Sequence, residues 1–404
     1  MAKEYSPFTP GVPVPIEFFV GREKEITEIV TKVAKSASMK TIERVFITGE
    51  RGIGKSSLCR MAVRIAEEKH EVIGLHVFLG GVTSLEEMVR RIFERLLQES
   101  RDRSWFDGVK GFLGNHIKEV GLFGVSLAFD APQRDLSQAV SDFGPTLRKL
   151  LSRIGAQRKG LMIVLDDLNG LAGSNAFSNW LKSLVDEIAT ARDPLPLTLV
   201  LAGLPERRRQ LLETQPSLDR VFDLIAIRPF DEAQTKQFFQ HALRKVNVSV
   251  TPEALNLFWQ FSGGYPVFLH EIGDAAFKAD TDGTIEKHDA LRGVISAAKV
   301  IGAKYIEPKV LDAIWSERYR GILRKITPVE VPHEFTRFTK AELMGRISPE
   351  EAKVLDNFLQ KMKRLGVIHQ SAEMGKGHYQ FTSALYALFF LLQAAPQKAV
   401  SAGG

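Results

Sequence analysis

Cysteine is almost absent from this sequence of 404 residues, in which Cys59 is the single example. One thiol excludes an intrachain disulfide framework and a zinc site built from cysteines, and it is typical of a reducing compartment. Long apolar runs are absent as well, because the longest, residues 384–392, is far shorter than the roughly 20 residues of a membrane-spanning helix. The first residues also lack the apolar segment of a signal peptide. We therefore expect a cytoplasmic protein that makes no membrane contact.

A large excess of charge of one sign is also lacking. The 54 basic and 48 acidic residues leave a net charge of +6, and a hydrophobic content of 44% is ordinary for a globular protein. Most of the surplus lies near the end of the chain, since residues 301–404 contain 15 Lys and Arg against 10 Asp and Glu. A basic C-terminal third indicates either nucleic-acid binding or a mildly basic solvated surface.

Short apolar segments alternate with helical patterns through the first 230 residues. A strand that is buried on both faces reads as a continuous apolar run, and strands that alternate with helices form a parallel sheet covered by those helices. The sequence therefore predicts an α/β fold with a parallel five-stranded sheet as its core. The predicted strands are residues 44–48, 72–79, 161–165, 197–201 and 222–227.

The pattern changes to helices after Pro229 and changes again near residue 300. The first change indicates a small helical lid. The second introduces helices followed by two strands joined at the glycine turn 375–377, which is the order of a winged helix. The predicted helices are residues 231–245, 252–261, 266–278, 310–326, 340–344 and 350–365, and the predicted strands are 366–370 and 379–382. The predicted domains are the α/β core with an N-terminal leader, 1–229, the lid, 230–299, and the C-terminal winged helix, 300–404.

A glycine-rich segment follows the first strand and precedes a helix. Residues 49–56 match the phosphate-loop pattern G-x-x-x-x-G-K-[ST] in the context that the pattern requires. Glycines let backbone N–H groups close around phosphate oxygens, and a helix N-terminus adds partial positive charge. Lys55 is expected to reach the β- and γ-phosphates and Ser56 to bind Mg²⁺. The residues predicted to bind the cofactors ATP and Mg²⁺ here are Gly49, Glu50, Arg51, Gly52, Ile53, Gly54, Lys55, Ser56 and Ser57.

Two carboxylates, Asp166 and Asp167, follow the apolar strand 161–165. A buried parallel strand delivers such side chains to its carboxyl end, where ligands bind in open α/β sheets. Asp166 is predicted to hold Mg²⁺, and Asp167 to polarise the attacking water as a general base. The structural alternative is an Asp that caps the turn into the next helix.

Residues 104–129 combine apolar and aromatic side chains with several glycines and fit no simple period. We expect an inserted helix and strand that pack on the core. The functional alternative is an element for self-association or partner binding that becomes exposed in one nucleotide state.

Together these features resemble the AAA+-type P-loop ATPases, and more narrowly the archaeal-type ATPases, the STAND signalling NTPases and the origin-recognition-like bacterial ATPases. Residues 19–23, Phe-Val-Gly-Arg-Glu, resemble the motif that borders the adenine pocket, which implies nucleotide contacts for Gly21 and Arg22. Residues 263–266 resemble the motif whose proline packs near adenine, which implies the same for Pro266. Arg220 resembles the arginine finger that acts on the nucleotide of a neighbouring subunit.

The sequence also departs from this family. The fourth strand ends in residues 201–205, Leu-Ala-Gly-Leu-Pro, where AAA+ enzymes place a polar sensor, and no arginine stands beside Gly264 as a second sensor. Both departures imply weak turnover. Arg207, Arg208 and Arg209 follow, either as the basic start of a solvated helix or with one of them as a charge sensor.

The resemblance implies a first hypothesis, an ATP-binding and slowly hydrolysing switch with Lys55, Asp167 and Arg220 as catalytic residues. Its nucleotide state would control self-association through the core or the binding of a protein partner. A second hypothesis is a DNA-binding ATPase of the initiator or transposition-regulator type, whose winged helix would contact duplex DNA rather than lock the nucleotide site. A third is a nucleotide-binding module without hydrolysis. The basic residues of the winged helix are Lys353, Lys361, Lys363, Arg364 and Lys376, with His378 beside them.

Overall fold

The computed structural model describes residues 5–394 with the exception of 102, 121–125, 312–313, 315, 328–335 and 372–374. It contains two compact units, one formed by Pro15–Arg228 and the other by the leader residues 5–14 together with the described residues from Pro229 onward. The sequence instead assigned the leader to the α/β core, and the division into three domains remains a prediction. No helix in the described ranges is long and apolar enough to cross a membrane.

A parallel five-stranded sheet forms the centre of the first unit, as the sequence predicted. The strands are Ile42–Thr48 (β1), Ile73–Phe78 (β2), Leu161–Asp166 (β3), Leu197–Gly203 (β4) and Asp223–Ala226 (β5). Their order in the sheet is β2-β3-β4-β1-β5, and the inner strands are buried along almost their whole length because helices cover both faces. At the carboxyl edge, Thr48 of β1 pairs with Gly203 of β4, and Asp166 of β3 pairs with Ala202.

Helices follow each of the first four strands, and polar caps start several of them. Ser84, for example, accepts a hydrogen bond from the Glu87 N–H at 3.2 Å, which satisfies a free donor of the first turn. The helices of this unit are Glu23–Met39, Lys55–His70, Leu85–Ser100, Phe106–Leu113, Gln133–Ser141, Phe143–Ile154, Asn175–Thr190, Pro205–Thr214 and Leu218–Val221. Short 3₁₀ turns span Ile16–Phe18, Gly114–His116, Gly155–Gln157 and Leu168–Gly170.

The unusual segment 104–129 packs on this core in its described part. It contains the helix Phe106–Leu113 and an antiparallel hairpin of Ile117–Val120 with Ser126–Phe129. Trp105, Val109 and Phe129 are buried in the main hydrophobic core. The expectation of an inserted helix and strand is confirmed for these residues, while 121–125 lie outside the described residues.

The first part of the second unit is helical, and its helices pack around aromatic side chains. Sequence periodicity predicted three of them, and the structure adds a fourth, Lys287–Ile301. The helices are Glu232–Arg244, Pro252–Ser262, Pro266–Ala279 and Lys287–Ile301, with a two-stranded parallel pair of Ser249–Val250 and Thr284–Ile285.

The last part of this unit combines short helices with a three-stranded antiparallel sheet. Two predicted helices, 310–326 and 350–365, are not continuous. The first prediction fails because a π-helical segment, Gly302–Leu311, precedes a separate helix, and the second because Val354 leaves helical geometry at φ −115° and ψ 3°. The helices are Glu317–Lys325, Lys340–Met344, Pro349–Ala352, Leu355–Arg364 and Ala384–Ala394, and the strands, in sheet order, are Arg337–Thr339, His378–Phe381 and Ile368–Gln370.

Phe8 anchors the leader to the helical part of the second unit. Its ring is buried against Phe239 at a centroid distance of 5.6 Å, and a Cβ at Gly273 would come within 2.6 Å of the ring. The Thr9 N–H donates to His270 Nδ1 at 3.0 Å, and burial lowers the pKa of His270 to about 4. A neutral imidazole therefore accepts this hydrogen bond at physiological pH.

Candidate functional site

The phosphate loop follows β1 with a backbone that only glycine adopts easily. Gly52 and Gly54 have φ values of +76° and +96°, in the left-handed region that favours glycine. A Cβ at Gly49 would lie 2.9 Å from Ile53 Cγ2 and 3.0 Å from the Ile227 carbonyl oxygen. The glycines thus allow a tight turn that leads straight into the helix Lys55–His70, and a helix N-terminus is a favourable site for an anion.

Lys55, the first residue of this helix, folds its side chain back over the loop. Its Nζ donates to the carbonyl oxygens of Gly49 and Glu50 at 2.8 and 2.9 Å. Burial lowers the pKa of Lys55, and the charges of Asp166 and Asp167 are among those that oppose this shift. The ammonium therefore stands in the electrostatic field of both predicted carboxylates. Ser56, the next residue, is half-buried.

Asp166 and Asp167 are held in place by backbone bonds from both neighbouring strands. The Leu79 N–H donates to the Asp166 carbonyl at 2.7 Å, and the Asp167 N–H donates to the Ala202 carbonyl at 3.1 Å. Asp167 itself is left-handed at φ +63°. The two carboxylates therefore lie at the same sheet edge as the phosphate loop, with only β4 between β3 and β1.

His76, which the sequence analysis missed, pairs with Asp166. Its Nε2 lies 2.9 Å from Asp166 Oδ2, and the two residues are only 6% and 2% exposed. The ring of Phe78 lies 4.4 Å from the imidazole. The signal was a lone polar residue inside the apolar strand β2, but its partner could be identified only once the strand order placed β2 beside β3.

Asp167 takes part in a second interaction that the sequence did not suggest. Asn169 donates from Nδ2 to Asp167 Oδ1, and Arg207 donates from Nε to Asn169 Oδ1 at 2.9 Å. A Cβ at Gly80 would lie 3.0 Å from Asp167 Oδ2, so the other carboxylate oxygen faces a residue without a side chain. Arg207 thus contacts this group through Asn169, and a role as charge sensor remains a prediction.

Arg22 contacts the phosphate loop, while a nucleotide contact of Gly21 or Arg22 remains a prediction. Both have left-handed backbones, with φ values of +75° and +67°. The buried Arg22 guanidinium donates to the Ile53 carbonyl at 3.3 Å and pairs with Glu25 at 3.4 Å. Burial lowers the pKa of Arg22, while Glu25 opposes that shift. Arg22 therefore connects the segment before the first helix directly to the loop.

Arg220 is exposed on the short helix Leu218–Val221. Its neighbouring carboxylates are engaged elsewhere, because Asp219 pairs with Arg208 and Asp223 pairs with Lys32. Within the described ranges Arg220 has no ion-pair partner, so pairing with either neighbour is not its role. Its action on a neighbouring subunit remains a prediction.

Pro266 is the first residue of the helix Pro266–Ala279 in the second unit. The preceding Gly264 has a φ of +75°, and a Cβ there would lie 1.9 Å from the Phe230 carbonyl oxygen. The turn before Pro266 therefore needs glycine for its own geometry. A contact between Pro266 and a nucleotide remains a prediction.

Comparisons with known proteins agree with this geometry. Residues 19–219 match the family model described as an AAA ATPase domain. The fold is similar to that of a Walker-type ATPase of Pyrococcus abyssi, with 17% identity over 92% of this chain and 96% of that chain and a TM-score of 0.53. It is also similar to the ORC2 protein of Aeropyrum pernix in its ADPNP–ADP complexes, with 12% identity over 97% and 96% of the two chains and a TM-score of 0.59. No curated protein sequence matches the chain.

The matched region contains the phosphate loop, Arg22 and both carboxylates of the site. At these low identities the structural neighbours show a shared fold alone. The family match adds a nucleotide-binding ATPase domain, built on the five-stranded parallel sheet described above. Residues 19–219 therefore form an AAA ATPase domain, and this part of the chain has the AAA+ P-loop fold.

Proposed function

We propose that the protein binds ATP with Mg²⁺ and hydrolyses it slowly, and that its nucleotide state controls self-association or a protein partner. One observation carries this proposal. The phosphate loop and the pair Asp166–Asp167 occupy one edge of the sheet, and the Lys55 ammonium lies in the field of both carboxylates. Ligands bind at the carboxyl edge of such sheets.

The residues at this edge fit a magnesium nucleotide. The Ser56 hydroxyl and the Asp166 carboxylate are the hard oxygen ligands that Mg²⁺ prefers. His76 engages Oδ2 of Asp166, which leaves Oδ1 available. When bound, the ion would neutralise charge on the phosphate oxygens. The two loop carbonyls that now accept from Lys55 would be exchanged for phosphate oxygens, which are stronger acceptors.

We assign to Asp167 the activation of the attacking water. Its backbone is tied to β4 and its Oδ1 to Asn169, and Oδ2 stands beside Gly80. As a general base it would orient the attacking water and accept its proton, while Lys55 stabilises charge on the transferred phosphoryl group. Because β4 ends in Ala202–Gly203 without a polar side chain, we expect turnover to be weak.

Self-association is the output that the exposed Arg220 supports. An unpaired guanidinium at the surface can complete the charge stabilisation in a neighbouring subunit's site, as arginine fingers do. A particle-mass measurement tests this output with ATP, with ADP and without nucleotide. We expect a larger particle with ATP than with ADP. An unchanged mass in all three states would mean that the nucleotide state controls a protein partner and not self-association. If the protein also hydrolyses no ATP, the non-hydrolysing nucleotide-binding module is favoured.

Duplex DNA binding is a second candidate, which a groove in the region predicted to be a winged helix supports. Lys340, Lys376 and His378 line this groove together with Thr339. Two of the basic residues are engaged, because Lys340 pairs with Asp356 at 2.6 Å and Lys353 with a neighbouring glutamate at 2.6 Å. The free cations are therefore fewer than the composition implied, and we rank this function second.

A salt titration of duplex affinity tests DNA binding. Phosphate contacts release counterions, so log K should fall steeply with log salt concentration if this region binds the backbone. Lys376→Ala should lower that slope by about 1 for a single lost phosphate contact. Lys353→Ala, which removes a paired lysine, is the matched control. A flat salt dependence or an unchanged slope in Lys376→Ala would exclude the groove as a DNA site.

A further inference from the structure

Three side chains form a line of hydrogen bonds that ends on Asp167. Arg207, on the helix after β4, donates from Nε to Asn169 Oδ1 at 2.9 Å, and Asn169 donates from Nδ2 to Asp167 Oδ1. The end of β4 itself offers no polar side chain, since its last residues are Ala202 and Gly203. A side chain of the helix after β4, rather than one of β4 itself, therefore leads to the Asp167 carboxylate.

From this arrangement we infer that Arg207 and Asn169 are positioning residues for ATP hydrolysis, which orient the Asp167 carboxylate toward the water. The inference rests on the proposed role of Asp167 as the general base. In this relay, formed by Arg207 and Asn169, Arg207 acts through Asn169 and touches no reacting atom. The relay takes the place of a polar side chain at the end of β4.

The chemistry of the three groups gives the relay a fixed direction. A guanidinium can only donate hydrogen bonds, so Arg207 must face the oxygen of the Asn169 amide. The amide nitrogen then points at Asp167, whose carboxylate accepts its hydrogen bond. Without Arg207 the Asn169 amide oxygen loses its donor, and the exposed side chain can rotate away from Asp167. Arg207 therefore determines the orientation of Asn169, and Asn169 that of Asp167.

The backbone around the relay is already fixed, which leaves only the side chains to be oriented. Leu168 is fully buried, and a Cβ at Gly170 would lie 1.9 Å from the Val82 carbonyl oxygen, so the turn Leu168–Gly170 has little freedom. Arg207 is in turn steadied by Gln210, whose Oε1 accepts from Nη1 at 2.8 Å. The rotation of the Asp167 side chain is what the relay restrains.

The relay lies near solvent and therefore contributes little to folding. Asn169 is exposed and Arg207 half-buried, and polar contacts at such positions add little to stability. The next arginine, Arg208, pairs with Asp219, and Arg209 is exposed without a hydrogen-bond or ion-pair partner among the described residues. Arg209 is thus a matched control on the same helix.

Steady-state kinetics and nucleotide affinity of four variants test the relay. Arg207→Met and Asn169→Ala should each lower kcat by about 10- to 100-fold, as lost positioning contacts do, while ATP affinity measured with a fluorescent nucleotide stays within about twofold. Arg207→Lys keeps a donor and should recover most of the rate. Arg209→Met should match the wild type. Equal kcat in Arg207→Met and the wild type would overturn the relay.

A double-mutant cycle separates positioning from a general structural effect. If Arg207 acts through Asp167, then Arg207→Met should cause no further loss in an Asp167→Asn background. Additive losses would contradict the relay and leave the base assignment intact. A wild-type rate in Asp167→Asn alone would instead overturn the proposed base. Should Arg207→Met fail to fold, the exposed Asn169→Ala completes the same cycle.

Discussion

The two halves of the candidate site are held together in different ways. The phosphate loop is a local structure, in which closely spaced glycines and the start of one helix form the proposed anion site. The carboxylate half is assembled from distant segments, with His76 from β2, a carbonyl from β4 and Arg207 from the following helix. Binding should therefore depend on a few neighbouring residues, whereas turnover should depend on contacts across the whole sheet edge.

The largest effect tests whether the site extends beyond one chain. Arg220→Ala should spare nucleotide binding and remove an acceleration of about 10³–10⁵ that an arginine finger supplies to a neighbour. Turnover per molecule should then lose its dependence on protein concentration.

Mixing variants provides the control for Arg220. Arg220→Ala subunits keep an intact nucleotide site, and Lys55→Ala subunits keep an intact Arg220, so a mixture should regain part of the activity. No recovery, together with wild-type turnover that is independent of concentration, would favour a monomeric switch.

The loop half is tested by Lys55→Ala. Loss of a charged hydrogen-bond donor to the phosphates should weaken ATP binding by about 100-fold, while the fold survives because Lys55 contributes little to the core. Equilibrium binding of a fluorescent nucleotide measures the first effect and circular dichroism the second. A folded variant with wild-type affinity would contradict the phosphate-loop assignment.

The carboxylate half is tested through His76. His76→Leu removes the contact that orients Asp166 and should lower the affinity for a divalent ion by about 10- to 100-fold, as expected for groups that orient a ligand. Binding of Mn²⁺ in the presence of nucleotide, followed by electron paramagnetic resonance, measures it. His76→Gln keeps a donor at similar reach and should restore most of the affinity. Equal affinities in the wild type and both variants would show that His76 is not needed to orient Asp166 for ion binding.

The smallest effect concerns the packing of the loop. A Cβ at Gly49 would press on Ile53 and on a backbone carbonyl, so Gly49→Ala should lower the free energy of unfolding by about 1–3 kcal/mol. Gly111 is helical with open space around its Cβ position, and Gly111→Ala should instead stabilise by about 0.5–1 kcal/mol. Urea unfolding compares the two variants. An unchanged free energy of unfolding in Gly49→Ala would mean that the loop accommodates the added methyl group without strain.

Local patterns explain which parts of the molecule the sequence predicted. All five strands of the central sheet were predicted to within two residues at each end, because each is a short apolar run that ends at a turn. The phosphate loop and its helix follow from adjacent residues, and so does the pair of carboxylates after β3. These features need no knowledge of which strands are neighbours.

Long-range contacts explain what the sequence could not predict. His76 and Asp166 are 90 residues apart, and Asn169 and Arg207 are 38 apart, so their pairing depends on the strand order. The leader joins the second unit through Phe8, whose aromatic partners lie more than 200 residues away. The ion pair of Lys340 with Asp356, 16 residues further along the chain, is likewise invisible to a charge count.

A single-turnover experiment with Asp167→Asn tests the central claim most directly, that this sheet edge binds ATP and uses a carboxylate to hydrolyse it. Protein in excess over ATP is incubated with Mg²⁺, and bound ATP and ADP are separated over time. The wild type should convert its bound ATP to ADP, while Asp167→Asn should retain ATP and convert it about 10²–10⁴-fold more slowly. Equal rates of conversion, or no ATP bound to either protein, would contradict this account.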